Sequence, residues 1–404
     1  MNKVEDWFTM PPYDEWPIAQ PYPMWGRARR ECPVVETPGN EWAPLPTYST
    51  TNFADGDRVL RDSATFSASI NAESMAPYMG ELMLGMDGEE HRRYRSIVAQ
   101  AFKRSSIERW KPELIDGVLA RLLDDIAPRG RGDLVALLTA RYPVQVICGI
   151  VGVPIEDHER FAMWGEQISA GPLEPETGLA ASAAMMAYLE PLVAARRAEP
   201  TGDLLSELVH AEVDGEQLTD GKLYGFLRLL LPAGAETTYR LFGSCLLALL
   251  THPDVLKRVR ADRSLIMPLI EETLRWETAV TMVSRRATTD TEIGGCPVPA
   301  GSPVTVYNGS ANHDEQRWDD PTTWDIDREP MSHLAFGTGA HQCLGMHLAR
   351  VELDAGINAV LDRLPDLRLD RDADPPVVSG YAFRSPLTLP TTWTTPSGAI
   401  PSGV

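Results

Sequence analysis

The segment FGTGAHQCLG, Phe336 to Gly345, holds one cysteine and one histidine among three glycines. Glycine at that density marks backbone that turns sharply or admits another group close to it. A thiol in such a loop is open to three readings: part of a phosphate loop, a buried structural residue, or a thiolate held out toward a metal. The phosphate reading fails on spacing, because a dinucleotide fingerprint opening at Gly337 and Gly339 needs its third glycine where Gln342 stands. The lysine followed by serine or threonine of a nucleoside-triphosphate loop is absent too. A plain core cysteine has no use for Gly337, Gly339, Gly345 or His341. After Cys343 the apolar Leu344, Leu348, Val351 and Ala355 share one helical face, which puts the thiol at a helix N-terminus. The dipole there lowers a thiol pKa and favours a thiolate, as nucleophile or as metal ligand.

Three further constellations carry chemistry. Ala233 to Thr238 read AGAETT inside an apolar run from Leu223 to Leu250. Pro232 lacks a backbone donor, Gly234 lacks a side chain, and the Thr237 hydroxyl can divert a helix carbonyl, so a local kink is expected. In EETLR, Glu272 and Arg275 lie one helical turn apart, the spacing of an ion pair that is usually solvated and weak. In EEHRRYR, His91 and Arg95 share a face by the same rule. The other cysteines, Cys32, Cys148, Cys245 and Cys296, show no C-x-x-C spacing, so they read as small buried side chains in a reducing cytosol.

Such residues need a large body to position them. A chain of 404 residues, 43% hydrophobic and 23% charged, is long enough for an extensive core. Its net charge of −20 opposes binding along a phosphate backbone, so no nucleic-acid partner is expected. The Leu223 to Leu250 run could cross a bilayer by length, but Arg228, Glu236 and Arg240 are expensive there, and it reads as a central core helix. The opening MNKVEDWFTMPPYDEWP has neither leader pattern nor apolar span, which predicts a cytoplasmic protein without a membrane partner. Residues 1 to about 50 are rich in proline and tryptophan without a sustained period, and are expected to form an irregular segment over the body. From about Asp55 onward the apolar spacing is helical, as in Ser96 to Phe102, Pro112 to Ile126 and Leu344 to Leu364. Short strands are expected within Arg285 to Ile293, Ser302 to Tyr307 and Leu387 to Trp393. One mostly helical domain over residues 1–404, with small sheets, is the simplest assignment.

FGTGAHQCLG resembles the haem-binding loop of the cytochrome P-450 family, F-G-x-G-x-H-x-C-x-G, at every fixed position. AGAETT resembles the family's [AG]-G-x-[DE]-T-[TS] at all six positions, and the likeness runs from TFS at Thr65 to GYAFRSP near the end. It implies a mainly α, single-domain cytochrome P-450 fold, a helix-rich triangular prism with small β-sheets. It also implies haem b with Cys343 as proximal iron ligand, and with Phe336, Gly337 and Ala233 against the cofactor. His91, Arg95, Arg285 and His341 become propionate ligands by the same resemblance, with Arg286 the alternative to Arg285. Glu272 and Arg275, joined by Arg328 of WDIDR, become a structural brace, and Glu236 and Thr237 the proton-delivering pair.

The implied activity is a haem-thiolate monooxygenase, inserting one atom of dioxygen into a hydrophobic small molecule by hydroxylation or epoxidation. No flavin, nicotinamide or iron–sulfur motif is present, so electrons must come from separate chains, by resemblance a ferredoxin and its reductase. The densest basic run, Arg92, Arg93, Lys103, Arg104 and Arg109, is expected to steer that docking. By position the substrate pocket draws on Met75, Met79, Met83 and Met86, on Leu230 and Ala233, on Val280 and Met282, and on Tyr381 and Phe383. Such an apolar, methionine-rich lining is adaptable. Two rivals remain: a peroxide-driven haem-thiolate peroxygenase, which tends to lose the acid/threonine pair, and a haem gas sensor or carrier, which normally brings an output domain.

Overall fold

The computed structural model describes residues 21–39, 45–213 and 215–395. Its axis is the helix Asp220–Thr251, about 48 Å long at 1.5 Å per residue. Thr219 caps it, the hydroxyl accepting from the Lys222 amide at 3.2 Å. Every residue from Leu241 to Leu246 is buried, the mark of a helix enclosed on all sides. Helices Tyr142–Val151, His158–Ser169, Ile266–Trp276 and Met346–Arg363 pack around it. The main apolar core is continuous through these helices and reaches Trp393 in the C-terminal tail.

Helix Pro175–Ala198 is long and apolar enough to cross a membrane by length and composition, with a mean hydropathy of 1.4. Its buried residues Gly178, Ala181, Ser182, Met185, Leu189 and Val193 fall at spacings of three and four and pack on helix His158–Ser169. That single stripe belongs to a helix with one face on the core.

The largest sheet runs in the order Val34–Thr37, Thr47–Thr50, Pro303–Val306, Val283–Ala287, Phe66–Ser67. Its pairings are antiparallel except for the parallel one between Pro303–Val306 and Thr47–Thr50. The register sets Arg285 opposite Val304 and Arg286 opposite Pro303. Since side chains alternate along a strand, the two arginines point to opposite faces. The expected strand pieces are therefore present but shorter, as Val283–Ala287, Thr291–Ile293, Pro303–Val306 and Pro390–Thr392. Cys148 and Cys245 are buried as expected, while Cys32 and Cys296 are half-buried.

The irregular segment expected over residues 1–50 needs correction where it is described. Helix Tyr22–Glu31 and strands Val34–Thr37 and Thr47–Thr50 occupy this stretch, and the strands form one edge of the largest sheet. Residues 1–20 and 40–44 lie outside the described residues. Long-range burial accounts for the order. Trp25 is fully enclosed beside Tyr307 and Tyr381, and Arg29 donates to the Ser310 carbonyl at 2.9 Å and pairs with Glu315 at 2.8 Å. Weak local periodicity is overridden by these tertiary contacts.

His313 joins this helix to the body. Tyr22 stacks on its ring with centroids 4.5 Å apart, and Nε2 lies 2.7 Å from the Trp276 carbonyl. Burial, with Arg275, Arg29 and Arg384 nearby, pushes its pKa down to about 3 against the pull of that carbonyl. An unfolded histidine titrates near 6.5. The folded value is the lower one, so His313 contributes full stability above pH ~6.5 and loses it as the pH falls toward 3, on the order of 4 kcal/mol at the end of that range. Denaturant melts between pH ~6.5 and ~4.5, above the ordinary carboxylate range, are expected to show falling stability that His313→Asn flattens. An unchanged slope in that variant would contradict the assignment.

Candidate active site

The cysteine loop is closed by backbone. The Cys343 amide donates to the Phe336 carbonyl at 2.9 Å, and Gly337 and Gly339 take φ of 64° and 72°. At Gly339 a Cβ would come within 2.6 Å of the Leu60 carbonyl oxygen, whereas at Gly337 it would meet nothing within 4 Å. The loop is therefore clamped on one side and open on the other. Cys343 is on the open side: its surface is accessible although protein atoms crowd it, as for a thiol facing an internal cavity. Burial pushes this thiol up, with the Gly345 amide, Arg95 and Arg350 pulling it back. The expected lowering by a helix dipole is thus corrected. Helix Met346–Arg363 begins three residues later, and burial is the leading influence on the thiol.

Phe336 is held by residues that the sequence reading missed. The Arg350 guanidinium lies 4.7 Å from its ring centre and pairs with Glu271 at 2.5 and 2.9 Å. Hydrogen bonds from Arg350 and His333 outweigh burial and bring the Glu271 carboxyl down to about 2.

Four donors gather beside the loop. The His91 and His341 rings lie 4.0 Å apart, and the Nε2 atom of each is buried without a partner among the described residues. Arg95, from the same helix Gly88–Ala99 as His91, donates to the Gln342 carbonyl. Arg285 is 5% exposed and, among the described residues, donates only to the adjacent Ser284 carbonyl, at 2.8 Å. Arg286, on the other strand face, pairs with Glu73. Burial lowers the pKa of His91 and takes that of His341 down to about 4. The negative group nearest this cluster is Asp87, 3.8 Å from His341 Nε2, and it already accepts from Ser67 and Ala68. Buried donors without acceptors are costly. Two guanidinium groups and two imidazoles around open space fit the paired carboxylates of a haem, and Cys343 fits its iron.

The central helix supplies a second wall. Ala233 is exposed although it lies mid-helix between buried neighbours Leu231, Pro232 and Thr238, so it faces a cavity. The Thr237 hydroxyl donates to the Ala233 carbonyl at 2.8 Å. That is the expected diversion, though the segment stays helical throughout. Glu236 pairs with Arg240 at 2.8 Å, and Arg240 also reaches Ser385 at 3.3 Å and lies 5.6 Å from the Phe383 ring centre.

Glu272, Arg275 and Arg328 are brought together. Arg275 makes a bidentate pair with Glu272 at 2.8 and 2.7 Å and donates to the carbonyls of Asn312, Pro321 and Thr323. Arg328 reaches Glu272 at 3.3 Å. A second buried pair was not foreseen: Arg384, fully enclosed, meets Glu277 at 2.7 Å and ties the C-terminal tail to the turn after helix Ile266–Trp276. A charge amid the apolar GYAFRSP was the available signal.

The expected pocket residues fall in different packing clusters. Met79, Met83 and Leu230 lie in the main core, whereas Met282 and Tyr381 pack around Trp25, with the Tyr381 hydroxyl 2.6 Å from that of Tyr307. Val280 and Phe383 pair as an isolated bridge, with Phe383 exposed.

Known proteins of one family resemble this chain over most of its length. The cytochrome P450 family model matches residues 181–378. The cytochrome P450 monooxygenase PikC of Streptomyces venezuelae is 36% identical over 361 residues, covering 87% of this chain and 86% of that protein. The mycinamicin IV hydroxylase/epoxidase of Micromonospora griseorubida is 36% identical over 316 residues, 77% of this chain and 79% of that one. The solved structure of the bacillaene polyketide synthase cytochrome P450 PksS of Bacillus subtilis superposes with a TM-score of 0.86 at 31% identity, covering 93% and 97% of the two chains. With relatives at this identity over more than two thirds of its length, the chain belongs to the cytochrome P450 family of haem-iron monooxygenases.

Proposed function

We propose that this monooxygenase hydroxylates or epoxidises a hydrophobic small molecule at haem b held by Cys343. The reading rests chiefly on the donor cluster of His91, His341, Arg285 and Arg95 beside the cysteine loop, in which both histidine Nε2 atoms are buried without a hydrogen-bond partner among the described residues and the two arginines meet only backbone carbonyls there. Haem iron, when bound, supplies the activation of dioxygen. The chain does the rest. Cys343 Sγ would ligate the iron, the four donors would hold the carboxylates, and Phe336, Gly337 and Ala233 would lie against the cofactor. Glu272, Arg275 and Arg328 keep the loop's supports in place.

Thr237 Oγ1 and a Glu236 carboxylate oxygen are the proposed carriers of protons from water into the site. Arg240 holds Glu236 in position for that task. Supplied with electrons and labelled dioxygen, the protein is expected to place one labelled atom in its product. Thr237→Ala is expected to keep the substrate-induced spin shift but to send most reducing equivalents to hydrogen peroxide, measured as peroxide formed per nicotinamide consumed. Undiminished coupling in that variant, or product formed only from added peroxide, would count against the assignment.

A ferredoxin with its reductase is the proposed electron source, in the cytoplasm. In the basic run expected to steer it, Arg93, Arg104 and Arg109 are paired with Glu216, Glu108 and Glu207. Arg92 and Lys103 have no carboxylate partner among the described residues, and the proposed docking charge narrows to these two.

A further inference from the structure

Arg228 lies on the central helix five residues before Ala233, about 8 Å back along its axis. Its guanidinium enters the space between helix Ser69–Met79 and helix Pro175–Ala198. Nη1 donates to Ser182 Oγ at 3.1 Å and Nε to the Tyr224 carbonyl at 3.3 Å. Nη2 is turned toward Gly80, where a Cβ would come within 2.5 Å of it. Gly80 also has a φ of 77°, so glycine alone leaves both the turn and the room for this side chain. Tyr78 and Met79, just before Gly80 in the chain, are buried.

No carboxylate of the described residues comes within ion-pair distance of Arg228. Glu81, adjoining Gly80, packs its carboxylate against Gly221, seven residues back along the helix, or about 10 Å. Burial lowers the Arg228 pKa with no opposing acid. Arg240, about three turns on, and Arg196 are also drawn in from solvent, and each faces a carboxylate. A guanidinium partly withdrawn from water onto two neutral acceptors is incompletely compensated. Its planar fork suits a carboxylate.

We propose that Arg228 binds the carboxylate of the substrate, so that the enzyme takes apolar carboxylic acids and oxidises them at a carbon several bonds from the acid group. The inference rests on the monooxygenase reading above and adds the substrate class to it. The carboxylate would sit on Nη2 beside Gly80, and the apolar skeleton would run along the helix toward Ala233.

Calorimetric titration of the haem-loaded protein with fatty, terpenoid and aromatic acids, each against its own methyl ester, tests this. At least one acid is expected to bind roughly tenfold or more tightly than its ester, the scale of a charge-assisted hydrogen bond, and Arg228→Gln is expected to bring that pair level. Should Arg228→Gln fail to load haem, Arg228→Lys serves instead and is expected to lose several-fold of the preference with the fork geometry. Equal binding of every acid and ester by the native protein, or a preference that survives the substitution, overturns the proposal. The carbonyl spectrum of the reduced protein is independent of Arg228. A normal spectrum with no acid preference sinks the substrate class alone, whereas an abnormal one sinks the underlying reading.

Discussion

Cys343→Ser is expected to abolish the thiolate-type absorption of the reduced carbonyl complex and to reduce turnover to background. A serine hydroxyl does not ionise near neutral pH and is a poor donor to iron, whereas a coordinated thiol loses its proton outright. The loop itself should survive, since the bond from residue 343 to the Phe336 carbonyl and the turns at Gly337 and Gly339 are backbone features. Melting temperature without haem should therefore change little. Burial holds the free Cys343 thiol above its ordinary pKa, so the metal, and not the surrounding protein, would have to draw the proton off. The reduced carbonyl spectrum and haem content of the variant check this. Native absorption in the serine variant would remove Cys343 from the metal.

Arg275→Leu is expected to cost about 3–5 kcal/mol, the scale for breaking a buried ion pair by removing one partner. Glu272 would keep only Arg328 and the Asp325 amide, and three backbone carbonyls would lose their donor. Against a total stability of about 5–15 kcal/mol, that loss should leave much of the chain unfolded or without haem. Arg275→Lys should rescue little, because one ammonium cannot reach both carboxylate oxygens and three carbonyls. Urea midpoints compared at equal slopes give the measurement. A shift equivalent to less than about 1 kcal/mol would place this pair among surface ion pairs.

Glu272 and Arg275 were recognisable as neighbours from their spacing, which taken alone signals a weak, solvated pair. Their burial depends on Asn312, Pro321, Thr323 and Arg328, which reach them from elsewhere in the chain. His91 and Arg95 were legible as one helical face, but their approach to His341 and Gln342 spans two segments. Arg285 and Arg286 are equivalent in sequence, and only the pairing with Pro303–Val306 sends one inward and the other to Glu73. Arg384 and Glu277, 107 positions apart, gave no local sign of each other.

From the sequence alone came the cysteine loop, the AGAETT segment, the helical character of the body and the family they resemble. Each depends on interactions between residues within a few positions, where helix and turn geometry are fixed by covalent structure. Tertiary structure alone decided the order of residues 22–39 and 45–50, the pairing of the basic run, the raised thiol of Cys343 and the unneutralised charge of Arg228. These follow from desolvation and long-range pairing, and neither exists until distant segments exclude water from one another.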